Sequence, residues 1–399
     1  LQPKEKSPLF LIFFSRHLQS FSAALSINYY FFLSPDLLYQ LALTQIPMIG
    51  PVQAKILVQH FGEAEKIFKA SPHFLEKLEG IGTVKARSIK SFKDFKEAEK
   101  EIRFIEKFCI KPIFLTDAGY PKRLLNCYDS PTLLFYKGQA DLNAARMIAV
   151  IGTRNHTEYA RQMTEKLIRN LAPWKVTIIS GLAFGIDGLA HKNAMHQQLQ
   201  TIGVLGHGFQ FIYPQEHSGL ARDMLKNDGG LLTEFRSNTK PDKHNFPTRN
   251  RIVAGMSDAV LVVESGMKGG SMVTADLANG YNKDVFAIPG KLTDHKSEGC
   301  NDLVKNNKAV LFTDAQQLAE LMGWEKKSGR PQPQKEIFVD LSPDEKTIVD
   351  LLREKENIGI DELNFSCGNL STSAVAAALL NLELKGLVGG MPGKQYRLL

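Results

Sequence analysis

Four short segments of the 399-residue chain combine glycine with groups able to hold an anion or a flat ring. In Ala149-Val-Ile-Gly-Thr-Arg-Asn155, an apolar, β-rich run ends at Gly152, and Thr153 and Arg154 open the turn before a helix. Glycine lets a ligand approach the backbone, a helix start offers free N–H groups, and Arg154 adds a bidentate fork for phosphate. In Ile179-Ser-Gly-Leu-Ala-Phe-Gly-Ile-Asp-Gly188, Ser180 and Gly181 stand at the next strand-to-helix turn. Asp187 and His191 read there as structural, a turn-bracing carboxylate and a packed imidazole.

The third segment is Lys243-His-Asn-Phe-Pro-Thr-Arg-Asn-Arg251, at a helix start. Lys243, Arg249 and Arg251 can neutralise phosphates, Asn250 adds a polar group, and an exposed Phe246 can stack a base without reading its identity. The competing reading pairs both arginines with carboxylates and sends Phe246 to the core. The fourth, Gly266-Met-Lys-Gly-Gly-Ser-Met-Val-Thr274, opens another helix after a strand. Gly269, Gly270 and Ser271 would form a nest for an anion, with Lys268 adding charge and Thr274 in the first turns. None of these is a G-x-G-x-x-G fingerprint, so a dinucleotide-dependent dehydrogenase is a poor fit. No nucleophile–base pair, Walker motif or metal-ligand spacing stands out either.

These turns need a sheet to hold them. Apolar runs at 147–151, 176–179, 201–205, 231–234, 259–263, 285–288 and 309–312 alternate with helix-like segments. Continuous apolar strands bounded by glycine mean a sheet buried on both faces, hence mostly parallel and doubly wound. Ligands bind such sheets at the carboxyl ends of the strands, where all four segments fall. Upstream, residues 35–110 read as short helices, with Ile46-Pro-Met-Ile-Gly-Pro51 and Leu78-Glu-Gly-Ile-Gly-Thr83 as helix-hairpin-helix turns, and residues 111–145 as an irregular connector. Residues 325–337 form a polar, Pro-containing linker. Residues 338–399 read as three helices and a β-wing, a winged-helix module. Its last helix, Thr372–Lys385, is Ala/Leu-rich and nearly uncharged, which favours protein contact over base reading.

The net charge of +7 is compatible with a nucleic-acid partner, and four cysteines without a CxxC pair fit reduced thiols in a cytosolic protein. Residues 1–34 contain the apolar run Pro8–Phe14, too short to span a bilayer. They read as a poorly ordered or non-native extension rather than a targeting signal.

In order, Gly-Thr-Arg, Ser-Gly-x-Ala-x-Gly-Ile-Asp, Tyr213-Pro214, Phe-Pro-x-Arg-Asn-Arg, Gly-Gly-Ser-x-x-Thr-Ala, Ile288-Pro-Gly290 and Gly299-x-Asn301 resemble the signature of the DNA-processing protein A (DprA/Smf) family. The likeness spans about residues 110–320, with Thr153 where serine is usual and Lys308 where glycine often stands. It implies an extended Rossmann-like core between a helical helix-hairpin-helix/SAM-like domain and a winged helix. It also implies sequence-independent single-stranded-DNA binding, homodimerisation, and loading of the recombinase RecA in natural transformation, without catalysis, cofactor or metal. The rival reading is a nucleotide phosphoribohydrolase of the LOG group. Lys268-Gly-Gly-Ser-Met-Val-Thr-Ala-Asp276 lacks the proline, third glycine and glutamate of that group's phosphate signature.

Overall fold

The computed structural model describes residues 36–324, 341–355, 357–368, 370–391 and 395–398. The expected extension, 1–34, and the linker, 325–337, lie outside these residues. The chain divides into two compact units, one up to Trp324 and one beyond it.

The first unit begins with helices α1 (Leu37–Leu43), α2 (Pro51–Phe61), α3 (Ala64–Lys69), α4 (Pro72–Glu76), α5 (Gly82–Ser91) and α6 (Lys96–Phe108). Asp36 ties two helix starts together, its carboxylate accepting the N–H groups of Ala64 and Glu65 at 2.7 Å each. Both expected hairpin turns are present. In the first, Met48 takes a left-handed backbone (φ 68°) that glycine would adopt without steric cost; in the second, Gly80 and Gly82 fill that role.

Then follow β1 (Lys111–Phe114), α7 (Lys122–Leu125), β2 (Leu133–Gly138), β3 (Met147–Ile151), α8 (Glu158–Leu171), β4 (Thr177–Ser180), α9 (Ile186–His196) and β5 (Thr201–Val204). The unit continues through α10 (Ser218–Lys226), β6 (Gly230–Thr233), α11 (Asn245–Met256), β7 (Ala259–Val262), α12 (Gly270–Gly280), β8 (Asp284–Ala287), α13 (Glu298–Lys305), β9 (Val310–Leu311) and α14 (Ala315–Leu321). The strands form one nine-stranded sheet in the order β1-β2-β6-β5-β4-β3-β7-β8-β9. From β6 to β9 every neighbouring pair is parallel. The chain steps outward from β3 to β6, then returns to lay β7 beside β3. That reversal is a topological switch point, where open α/β sheets leave a crevice outside the carboxyl ends.

Strands β3 to β7 are buried along their whole length, which is why they read as unbroken apolar runs. Residues 111–145, expected as an irregular connector, instead supply β1 and β2, antiparallel to each other and to β6. Pro112 sits in the sheet's outermost strand, where its missing N–H breaks no central ladder. Leu41, Leu57 and Ile105 of the helical region share one buried cluster with Ile113, Leu134 and Val260 of the sheet. Ile148, Ile178, Leu167 and Phe286 build the core on the other face.

The second unit is a winged helix: α15 (Pro343–Glu354), β10 (Ile358–Gly359), α16 (Ile360–Ser366), α17 (Thr372–Leu384), β11 (Val388–Met391) and β12 (Gln395–Leu398). Its small sheet has the order β10-β12-β11. The capping box at α15 is present: Glu345 N–H donates to Ser342 Oγ at 3.2 Å, and Ser342 N–H to Glu345 Oε2 at 2.8 Å. Val375, Leu379 and Leu382 of α17 face the core, whereas Ala376, Ala377, Leu380 and Leu384 are exposed. Among the described residues no helix is long and apolar enough to cross a membrane.

Candidate nucleic-acid interface

The loop after β3 lies at the switch point. A Cβ on Gly152 would come within 2.6 Å of Ile186 Cγ1 and 3.0 Å of Glu264 O, so this glycine lets the ends of β3, β7 and α9 close together. Thr153 is fixed through its backbone: its N–H donates to Glu264 O at 2.8 Å and its carbonyl accepts Ile186 N–H at 3.2 Å. Both carboxylate oxygens of Glu264 accept from Thr157, from Oγ1 at 2.5 Å and N–H at 2.9 Å, which anchors the start of α8. From this pinned turn the Arg154 side chain emerges exposed, its guanidinium 5.6 Å from the Phe246 ring centroid. Phe246 in turn leans on Tyr213, with centroids 5.5 Å apart at 33°. Gly206 makes room beneath, since a Cβ there would meet Phe246 Cδ1 at 2.8 Å. Arg154, Phe246 and Tyr213 therefore form one cation–ring–ring array, with the exposed Lys243 a turn before Phe246.

The arginines of α11 do something different. Arg249 is buried and donates from Nη1 to Val204 O at 2.6 Å. Its guanidinium occupies the space above Gly181, where a Cβ would fall 1.9 Å from Nη1. Burial lowers its pKa to about 10, against the opposing pull of Asp187, so it stays charged at neutral pH. Burial raises the pKa of Asp187, opposed by Arg249 and by the N–H groups it accepts. Those are Gly181 N–H at 3.1 Å and Ala183 N–H at 3.4 Å, the turn-bracing role expected of it. Arg251 is also buried, paired with the Glu234 carboxylate and donating to Asp129 O. Ser180 is buried and donates to Val150 O at 2.7 Å. The phosphate contacts expected of Ser180, Arg249 and Arg251 give way here to internal bonds that tie α11 and the β4 turn to the sheet. His191 is packed as expected: Thr201 Oγ1 donates to Ile178 O at 3.0 Å, which leaves His191 Nδ1–H donating to Thr201 Oγ1 at 2.7 Å. Burial, with the charges of His217 and Arg249, lowers its pKa to about 3.

At the start of α12, Gly270 and Ser271 hold the first two helical positions, whose N–H groups have no helical carbonyl to bond. The space where a Gly270 Cβ would sit is open, and Lys268 is exposed beside it. Gly269 packs tightly, its would-be Cβ 2.4 Å from Ser265 Oγ. The two hydroxyls turn inward: Ser271 Oγ donates to Ser265 Oγ at 2.8 Å and Thr274 Oγ1 to Gly270 O at 3.4 Å. Asn250 Nδ2 donates to Gly270 O at 3.4 Å, linking α11 to α12. The outward-facing set is thus Arg154, Lys243, Phe246, Lys268 and the first N–H groups of α12. Two neighbours of this set were not assigned to it from the sequence. Tyr213 stood in the motif string without an assigned role, and Lys296 donates to Asn155 O at 2.9 Å, beside the Arg154 turn. Only the Tyr213-Pro214 pair carried a signal.

Residues 111–323 match the family model described as DNA recombination-mediator protein A. Residues 38–102 match a helix-hairpin-helix motif and residues 330–394 the DprA winged helix domain. Protein Smf of Synechocystis sp. is 33% identical over 395 residues, covering 90% of this chain and 98% of the relative. DNA processing protein DprA of Streptococcus pneumoniae is 39% identical over 206 residues, 52% of this chain and 72% of the relative. The X-ray structure of DNA processing protein A from Streptococcus pneumoniae aligns with a TM-score of 0.61 at 31% identity, covering 72% of this chain and 98% of that one.

Proposed function

The chain belongs to the DNA recombination-mediator protein A (DprA/Smf) family, and from that premise we propose that it binds single-stranded DNA without sequence preference at the switch-point crevice. The observation that carries this reading is the Arg154–Phe246–Tyr213 array. Every base has a π-face, so a ring that stacks one base tolerates all of them, whereas duplex bases are already stacked on each other. Arg154, Lys243, Lys268 and the first N–H groups of α12 suit the intervening phosphates, each neutralised phosphate releasing counterions. In this reading Gly152, Thr153, Gly181 and Gly269 shape the turns. Ser180, Arg249, Asn250, Arg251, Ser271 and Thr274 hold them in place.

Beyond this geometry, the family likeness supports a wider role in the proposal: a cytoplasmic homodimer that protects incoming strands and loads RecA onto them in natural transformation. For the nucleotide-hydrolase alternative, the first carboxylate after the glycines that open α12 is Asp276. It is exposed and paired with Lys308 at 3.1 Å, an arrangement suited to a surface ion pair.

The test is binding of a labelled oligo-dT strand against a duplex of equal length at two salt concentrations. Preference for the single strand, weakening as salt rises, is expected. Equal or absent binding at low salt would discard the proposal and make AMP hydrolysis the next assay.

A further inference from the structure

We propose that Phe184 is a second stacking position for an unpaired base, a reading that rests on the single-stranded-DNA function above. Phe184 is at the tip of the turn between β4 and α9, next to the Arg154 turn on the sheet's carboxyl edge. It is 40% exposed, although the core beneath the turn is already filled by the fully buried Leu182 and Ile186. The ring therefore lies outside the core of the turn, packed against His217 and two-fifths exposed.

The turn that presents the ring is held on both sides. Before it, the Asp187 carboxylate accepts the N–H groups of Gly181 and Ala183. After it, Gly185 lies so close to the neighbouring turn that a Cβ would fall 2.2 Å from Thr153 O and 2.5 Å from Arg154 O. Leu182 takes a left-handed backbone (φ 57°), an unfavourable conformation for a side chain of its size, which persists only where its surroundings impose it. A ring on a braced turn loses little freedom when a base settles on it.

One short segment links this ring to the array already described. Tyr213 leans on Phe246, and four residues later His217 meets Phe184 edge-to-face, with centroids 5.3 Å apart. His217 is itself fixed by a 2.9 Å bond between Nδ1 and Leu182 O. Two aromatic pairs thus flank the same segment, and Arg154 touches both sides, its guanidinium at Phe246 and its carbonyl against Gly185. In this proposal, a strand with one base on the Phe246–Tyr213 pair and its phosphate at Arg154 places a further base on Phe184.

The experiment compares Phe184→Ala, Phe184→Leu and Phe184→Trp in the full chain, each checked for an unchanged thermal midpoint. Binding is read with oligo-dT and with an abasic strand of the same length. Phe184→Ala should weaken oligo-dT binding roughly five- to a hundredfold, the range for losing one stacked base. The salt slope should not change, Trp should restore affinity, and Leu should not. On the abasic strand, all forms should bind alike. The proposal is overturned if Phe184→Ala matches the parent on oligo-dT while Phe246→Ala loses affinity. It is also overturned if Leu rescues as well as Trp, or if the loss is equal on the abasic strand. If Arg154→Ala and Phe246→Ala are silent too, the failure lies in the single-stranded-DNA reading, and this inference falls with it.

Discussion

Replacing Gly181 with alanine should expel the Arg249 guanidinium from its seat. The new Cβ would lie 1.9 Å from Nη1 and 2.4 Å from Cζ, far inside van der Waals contact. With the guanidinium displaced, the 2.6 Å bond to Val204 O breaks and buried Asp187 loses its countercharge. Removing one partner of a buried charge pair costs about 3–5 kcal/mol. Asp187 keeps its backbone donors, so the lower end, about 3 kcal/mol, is expected, a fall in Tm of roughly 5 °C for a unit of about 290 residues. Calorimetry of Gly181→Ala, Arg249→Met and the double variant measures this. With the guanidinium gone, the added methyl group has room, so the double variant should be little worse than Arg249→Met alone. The loss should also depend on pH. Burial already raises the Asp187 pKa, and without Arg249 it rises further. A carboxyl raised on folding costs nothing below its unfolded pKa and destabilises as pH climbs from there through the raised value. The Arg249→Met deficit should therefore grow as pH rises above the unfolded aspartate value of about 4. Additive losses in the double variant, or a deficit that shrinks as pH rises, would refute the reasoning.

Arg251→Met should destabilise the protein by about 3 kcal/mol through its orphaned partner Glu234, yet leave the salt dependence of single-strand binding unchanged, as read by titration at several salt concentrations. A chain ending at Trp324 should keep its single-strand affinity, since the cationic and aromatic array lies within the first unit and α17 carries no Lys or Arg. Gel-shift comparison with the full chain checks this.

The sheet was legible because strands buried on both faces leave apolar runs that glycine punctuates, as at Met147–Ile151 and Ala259–Val262. β1 escaped because Pro112 argues against a strand until its edge position is known, and edge position is a property of topology. In the candidate site, the residues whose side chains reach solvent could be named from type and position alone: Arg154, Lys243 and Lys268. Arg249 and Arg251 could not be told from them. Their burial depends on Gly181 vacating space in the β4 turn and on Glu234 arriving from the end of β6, both distant in sequence. The competing reading, in which both arginines pair with carboxylates, describes Arg251 on Glu234, whereas Arg249 bonds the Val204 carbonyl, and Phe246 is only half-buried. Tyr213 was visible as a letter in a motif, but its contact with Phe246 required the fold.

Photo-crosslinking with a bromodeoxyuridine-substituted single strand, mapped by mass spectrometry, tests the central claim most directly. Crosslinks on the peptides carrying Tyr213 and Phe246, lost on addition of unlabelled oligo-dT and depleted in Arg154→Ala, are the expected result. Efficient crosslinks confined to other surfaces, with Arg154→Ala crosslinking as well as the parent, would contradict it.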